Sequence, residues 1–142
     1  MENKRLMILI WNMGLGGIQK RIRDIVIDMV KNRPDWDIYM TVKYKNPDYF
    51  SKDFKSNPRV HFNYFSDYKR KNFVLGLVWI IKEYLKIQPT VCLTFGDHFS
   101  VIMIFIRKLF FWQKTRIVLN EGVLMSKCVE IYRKNKIIQS KG

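Results

Sequence analysis

Two adjacent glycines, a histidine and a glutamate are the residues of this chain whose types and positions could do chemistry. Gly16 and Gly17 close the loop Asn12-Met13-Gly14-Leu15-Gly16-Gly17, between an apolar run at residues 6–11 and a helical pattern that opens at Ile18-Gln19-Lys20-Arg21. A strand, a glycine turn and a helix N-terminus in succession aim backbone N–H groups at an anion, and the helix dipole favours negative charge there. A Cβ at either glycine would hold a ligand off the backbone. The competing reading is a tight turn with no ligand. His98 and Glu121 each follow an apolar, strand-like run, at residues 90–95 and 115–119. Ligands of open α/β sheets bind outside the carboxyl ends of the strands. His98 there could carry a proton, and Glu121 could orient a hydroxyl group; each also reads as an ordinary polar loop residue. Asp97 and Asn120 flank them. Asp is a preferred N-cap, so Asp97 reads equally as the cap of a helix beginning at Phe99. Arg21 and Arg23 read as solvated surface charges.

The glycine loop narrows the ligand. A dinucleotide fingerprint needs G-x-G-x-x-G and an acid at the end of the second strand. Gly14 and Gly16 supply two glycines, but Gln19 occupies the third position and the second strand ends Val42-Lys43-Tyr44-Lys45 without an acid. No G-K-[ST] follows the glycines, so a P-loop is excluded as well.

The elements that must position these residues alternate along the chain. Ile18, Ile22, Ile25, Val26, Met29 and Val30 recur at helical spacing until Asn32-Arg33-Pro34 stops the helix. Residues 36–44 read as a strand, with Trp36, Ile38, Met40 and Val42 alternating against polar positions. Residues 45–58 form a loop marked by Pro47 and Pro58. A short strand at 59–65 places Val60, Phe62 and Tyr64 on one face, and a basic connection at 66–72 follows. A helix at 73–86 ends at Gln88-Pro89. The strand at 90–95 is apolar almost throughout, as in the buried middle of a parallel sheet. Gly96-Asp97-His98 reads as a turn, 99–112 as a third helix and 115–119 as a fifth strand. This alternation predicts right-handed crossovers, hence a doubly wound, Rossmann-like parallel sheet with helices on both faces and the first strand central.

Composition agrees with one folded domain. The chain has 142 residues, 48% hydrophobic and 15% aromatic, which excludes disorder for most of it. Lys plus Arg number 26 against 12 acids, a net +14 that favours anionic partners: phosphorylated substrates, nucleic acid or an acidic membrane surface. Cys92 and Cys128 form no CxxC pair, and Cys92 lies in an apolar strand, so a buried reduced thiol in a cytoplasmic protein is expected. The apolar run after Lys4-Arg5 is too short for a signal peptide. Residues 99–112 are interrupted by Arg107-Lys108 and fall short of the roughly 20 residues of a spanning helix. Basic and aromatic residues at 105–112, with Lys69-Arg70-Lys71, suit a peripheral contact with anionic headgroups. The abundant Tyr, Phe and Lys also admit a nucleic-acid-binding module, but the aromatics fall at core-periodic positions and no RRM, KH or zinc spacing appears.

The ordered set of motifs resembles one family. Gly16-Gly17-Ile18-Gln19 is similar to the GG-[IV]-[EQ] loop of family 4 (retaining, GT-B) glycosyltransferases. Ile87-Gln88-Pro89-Thr90-Val91 is similar to the approach to their fourth strand, with Thr90 where relatives carry Asp. Arg116-Ile117-Val118-Leu119-Asn120-Glu121-Gly122 is similar to their fifth strand and its exit, where many relatives place a His. The resemblance covers roughly residues 4–126 and implies the N-terminal, acceptor-side half of a GT-B enzyme at 1–126, with a poorly ordered basic tail at 127–142. It implies sugar transfer from a nucleotide-sugar donor to a saccharide or lipid-linked acceptor, with no metal or other cofactor. Gly16 and Gly17 would approach the donor diphosphate, His98 and Glu121 would be catalytic, and Asp97 and Asn120 would face the acceptor. The chain would be a truncated or split glycosyltransferase, its donor-holding C-terminal domain missing or supplied by a separate chain, and would be inactive alone. The enzyme would work in the cytoplasm, at the inner face of the membrane. A basic module binding nucleic acid or membrane, and a Rossmann-like nucleotide enzyme, are the alternatives.

Overall fold

The computed structural model describes residues 2–66 and 73–120. Five strands, β1 (Lys4–Ile10), β2 (Trp36–Tyr44), β3 (Val60–Ser66), β4 (Val91–Phe95) and β5 (Arg116–Asn120), form one sheet in the order β3-β2-β1-β4-β5. Every pairing is parallel. Helices α1 (Gly17–Asn32), α2 (Phe73–Ile87) and α3 (Asp97–Leu109) flank it, giving the Rossmann-like α/β architecture that the sequence pattern predicts, with β1 central. Glu121, the basic run Lys69-Arg70-Lys71, Cys128 and the tail expected at 127–142 lie outside the described residues.

β1 takes the centre because both its faces are apolar. Leu6, Ile8 and Ile10 join one core with Ile22 and Val26 of α1 and Ile38, Met40 and Val42 of β2. Met7 and Leu9 join the other, with Ile80, Tyr84 and Ile87 of α2 and Phe99, Ile102, Met103 and Ile106 of α3. α1 therefore covers one face and α2 with α3 the other. Burial of side chains of this size stabilises by about 1.5–3 kcal/mol each before the entropy of ordering them is charged.

The helix ends follow from local chemistry. The Arg33 N–H donates to the Met29 carbonyl at 2.9 Å where Pro34 forbids a further turn. The Arg59 guanidinium then gathers carbonyls at that end of the molecule: Nη2 donates to Val30 O at 2.5 Å, and Nη1 to Arg33 O at 2.8 Å and Trp36 O at 3.1 Å. A cation at a helix C-terminus also complements the dipole. Gln88 takes φ +49° directly before Pro89, a left-handed turn that ends α2 without a glycine.

The polar positions Thr41 and Lys43 of β2 are buried, because α2 covers that side of the sheet as well. Two expectations need correction. Asp97 and His98 do not form a turn with Gly96; they open α3. Gly96 turns the chain alone, at φ +101° and ψ 148°, so helix can begin at the next residue. Asp97 is accordingly the first helical residue rather than the cap. It is exposed and caps nothing with its side chain, although its charge suits the dipole. α3 also stops at Leu109, before Phe111 and Trp112, with the Phe110 N–H closing on the Ile106 carbonyl at 2.9 Å. Among the described residues no helix is long and apolar enough to cross a membrane.

Candidate functional site

The strand order places the topological switch point of the sheet between β1 and β4, and a crevice is expected at their carboxyl ends. From β1 the chain winds out through β2 to β3, then returns to the other side of β1 to form β4 and β5. Loops leaving β1 and β4 therefore part in opposite directions, the position where open α/β sheets hold ligands. Three devices stand at this edge: the glycine loop after β1, the last turn of β2, and the start of α3 after β4.

The glycine loop is clamped on both sides. Asn12 Oδ1 accepts the Gly14 N–H at 2.9 Å, and the Tyr49 N–H donates to the Met13 carbonyl at 2.8 Å, tying the loop to the β2–β3 connection. Gly14 is required by crowding, since a Cβ there would stand 3.0 Å from both Asn12 Oδ1 and Pro47 Cγ. Gly16 has an extended backbone open to any residue, but a Cβ would meet Gln19 Oε1 at 2.3 Å and displace a side chain that turns back toward Asn12. Gly17 differs from both: nothing lies within 4 Å of where its Cβ would be. The first intrahelical bond of α1 runs from the Lys20 N–H to the Gly16 carbonyl at 3.0 Å. Gly17, Ile18 and Gln19 precede it, so their N–H groups have no partner inside the helix. No side chain caps them and the first turn holds no acid. Packing thus gives no reason for the glycine at 17, while open approach to the helix tip does.

Lys43 was not among the sequence candidates and stands at the same sheet edge, against the Trp11 ring. It is 6% exposed on the last turn of β2, and its Nζ lies 4.2 Å from the Trp11 ring centroid and 5.6 Å from that of Tyr44. Among the described residues no carboxylate pairs with it. Burial pulls its pKa below the ordinary lysine value. The bare Cα of Gly76 in α2 faces the same group; a Cβ there would stand 3.6 Å from Lys43 Cε and 3.7 Å from Nζ. Only the sequence position of Lys43, on the polar alternation of β2, hinted at it, and that alternation reads as solvent-facing until α2 is placed.

His98 lies against the same indole, its ring centroid 5.2 Å from that of Trp11, with Phe73 at 5.5 Å and Phe99 at 5.6 Å around it. Burial first, and then the Lys43 charge, lower its pKa below the ordinary histidine value, which favours the neutral imidazole. A neutral imidazole offers one donor and one acceptor, which is what orienting a hydroxyl requires. The turn beneath it is fixed by Ser100, whose Oγ donates to the Gly96 carbonyl at 2.9 Å and meets Thr94 Oγ1 at 3.0 Å.

Of the sequence candidates, the fold gathers Asp97, His98 and Asn120 around the β4 exit, beside the Gly96 turn. Asn120 sits in register with Phe95, and its carbonyl accepts the Gly96 N–H at 3.2 Å. Gly16 and Gly17 share the same sheet edge but stand on the α1 side, opposite α3. A separate groove of about 490 Å³ runs between α3 and β5, lined by Ile104, Arg107, Phe111, Ile117 and Leu119 among others; it contains none of the candidate residues.

Gly96→Ala tests the strand-to-helix turn. A Cβ would meet nothing closer than Trp11 Nε1 at 3.9 Å, so any cost is backbone strain. The φ, ψ pair lies in a region essentially reserved for glycine, and a destabilisation of about 2 kcal/mol is expected in a urea titration. An unchanged midpoint would show that another turn serves equally well.

No protein-family model, curated protein or solved structure matches the chain.

Proposed function

We propose that this domain is the acceptor-side, N-terminal half of a retaining GT-B glycosyltransferase, which moves a sugar from a nucleotide-sugar donor to a saccharide or lipid-linked acceptor. The observation that carries the reading is the switch point between β1 and β4, where an open glycine-led helix tip, a buried lysine and a histidine of lowered pKa occupy one sheet edge. Each suits a part of the reaction. The α1 tip and its free N–H groups fit the donor diphosphate, which gains charge as its bond to the anomeric carbon breaks. The neutral His98 imidazole can accept a hydrogen bond from the attacking hydroxyl and so orient it. Trp11 provides an apolar wall of the kind that sugar rings pack on.

A second α/β domain supplies the donor-side wall in this reading, and the work is done in the cytoplasm at an anionic membrane face. Phe105, Phe111 and Trp112 are exposed beside Arg107 and Lys108, a pairing suited to headgroups.

The test is transfer from a panel of UDP-, GDP- and ADP-sugars, with a donor-side domain supplied in trans. The mixture is expected to turn over sugar nucleotide and this chain alone is not. His98→Ala should lower kcat or raise the acceptor KM in the mixture. Turnover by this chain alone, or transfer indifferent to His98→Ala, would overturn the reading.

A further inference from the structure

A buried lysine without a carboxylate is expensive. Removing an ammonium from water costs several kcal/mol unless something replaces its solvation, and proteins normally supply a paired acid. Lys43 is 6% exposed, and among the described residues only aromatic faces stand against its charge, those of Trp11 and Tyr44. Cation–π contacts offset only part of that cost. The position adds to the case. Lys43 is on the last turn of β2, next to the central strand and beside the crevice, and both it and His98 lie against the Trp11 indole. On its far side α2 presents Gly76, whose missing side chain leaves the ammonium uncrowded.

We propose that Lys43 is an anion subsite: it binds a compact oxyanion, a phosphate or a carboxylate, carried by the small molecule that enters the β1–β4 crevice, where His98 shares the Trp11 indole with it. Assigning that oxyanion to the sugar acceptor rests on the transferase reading; binding of the anion does not. The incoming charge completes the solvation that burial removed, and the low local dielectric strengthens the pair. The subsite is distinct from the α1 tip, which lies across the sheet and binds through backbone N–H groups alone. An acceptor bearing phosphate or carboxylate is thereby preferred over a neutral sugar, because a neutral group leaves the ammonium unmatched.

The experiment is isothermal titration of this chain with glucose 1-phosphate and with glucuronate, alongside glucose as the uncharged control. Lys43→Met keeps the stem and removes the charge; Lys45→Met removes an exposed lysine nearby and tests for a general effect of the +14 charge. Loss of one charge-assisted contact should weaken the preferred oxyanion at least about tenfold in Lys43→Met. Lys45→Met and the wild type should bind alike. The stronger of the two ligands identifies the source of the oxyanion. Gly76→Ala serves as a packing control: its methyl group meets Lys43 at ordinary contact distance on the side away from the crevice and favours the helix, so fold and affinity should both persist. Equal binding by Lys43→Met and the wild type, equal losses in the two lysine variants, or no preference for either anion over glucose would each overturn the subsite. Anion binding that depends on Lys43, in a protein that transfers no sugar with any donor-side domain, would uphold the subsite and overturn the transferase reading.

Discussion

Gly17→Val should cut sugar transfer by about 100-fold while leaving the fold intact, a loss comparable to removing one preorganised donor from a developing anion. The structure separates these two effects unusually well. No atom lies within 4 Å of the position a Gly17 Cβ would occupy, so the branched side chain meets no protein. Valine is a better helix former than glycine, and the thermal midpoint should hold or rise slightly. The isopropyl group would nevertheless stand over the first turn of α1, where the unpartnered N–H groups converge and a diphosphate must come close. Gly17→Ala, with one methyl, should fall between the two. Gly16→Ala is a poorer probe, since its Cβ would displace the Gln19 carboxamide and so change a second group at the helix tip. If Gly17→Val transfers sugar normally with an unchanged melting curve, the glycine pair is a turn and nothing more.

The parts of this fold that the sequence reveals are those governed by periodicity. β2 spans Trp36–Tyr44 as its alternation predicts, and α1 stops where Arg33-Pro34 interrupts its apolar repeat. The central place of β1 follows from a run apolar on both faces. What stays hidden depends on contacts between distant segments. Lys43 looks solvated in the strand pattern and is buried only because α2 folds over that face. The Gly96 turn looks longer than it is, since a single residue at φ +101° does what three were expected to do, and this moves His98 from a loop into a helix. His98 itself was legible from its place after an apolar strand. The lowering of its pKa was not, because that comes from burial against Trp11, Phe73 and Phe99 and from the Lys43 charge, and all but Phe99 lie on three other stretches of the chain. The Arg59 anchor shows the same division: three carbonyls from the end of α1 to the start of β2 converge on one side chain that sequence spacing leaves unremarkable.

Cys92 should make the domain sensitive to alkali. Its side chain is fully buried on β4, in the core shared with α2 and α3, and burial pushes its pKa from the model-compound value of 9.0 up to about 12. Below pH 9 the thiol is protonated whether the chain is folded or not, and it contributes nothing to the pH dependence of stability. Above that, the unfolded chain releases the proton while the folded chain keeps it until about pH 12, so stability falls as pH rises through this window. The loss attributable to this thiol is about 2 kcal/mol near pH 10.5 and about 4 kcal/mol near pH 12. Tyr64, whose pKa burial and Asp48 raise, acts in the same direction above pH 10. Lys43 acts oppositely: its pKa is lowered, so the penalty of burying its charge is relieved as pH rises toward 10.5. The raw stability profile mixes all three, and a difference between proteins isolates one. Cys92→Ala removes the thiol at a fixed cost from the lost volume, independent of pH. Urea midpoints taken at about pH 8 and about pH 10.5 should therefore bring the variant closer to the wild type, or past it, by about 2 kcal/mol at the higher pH. Parallel profiles for the two proteins would mean that the Cys92 thiol ionises as readily folded as unfolded, and that water reaches β4 in the native state.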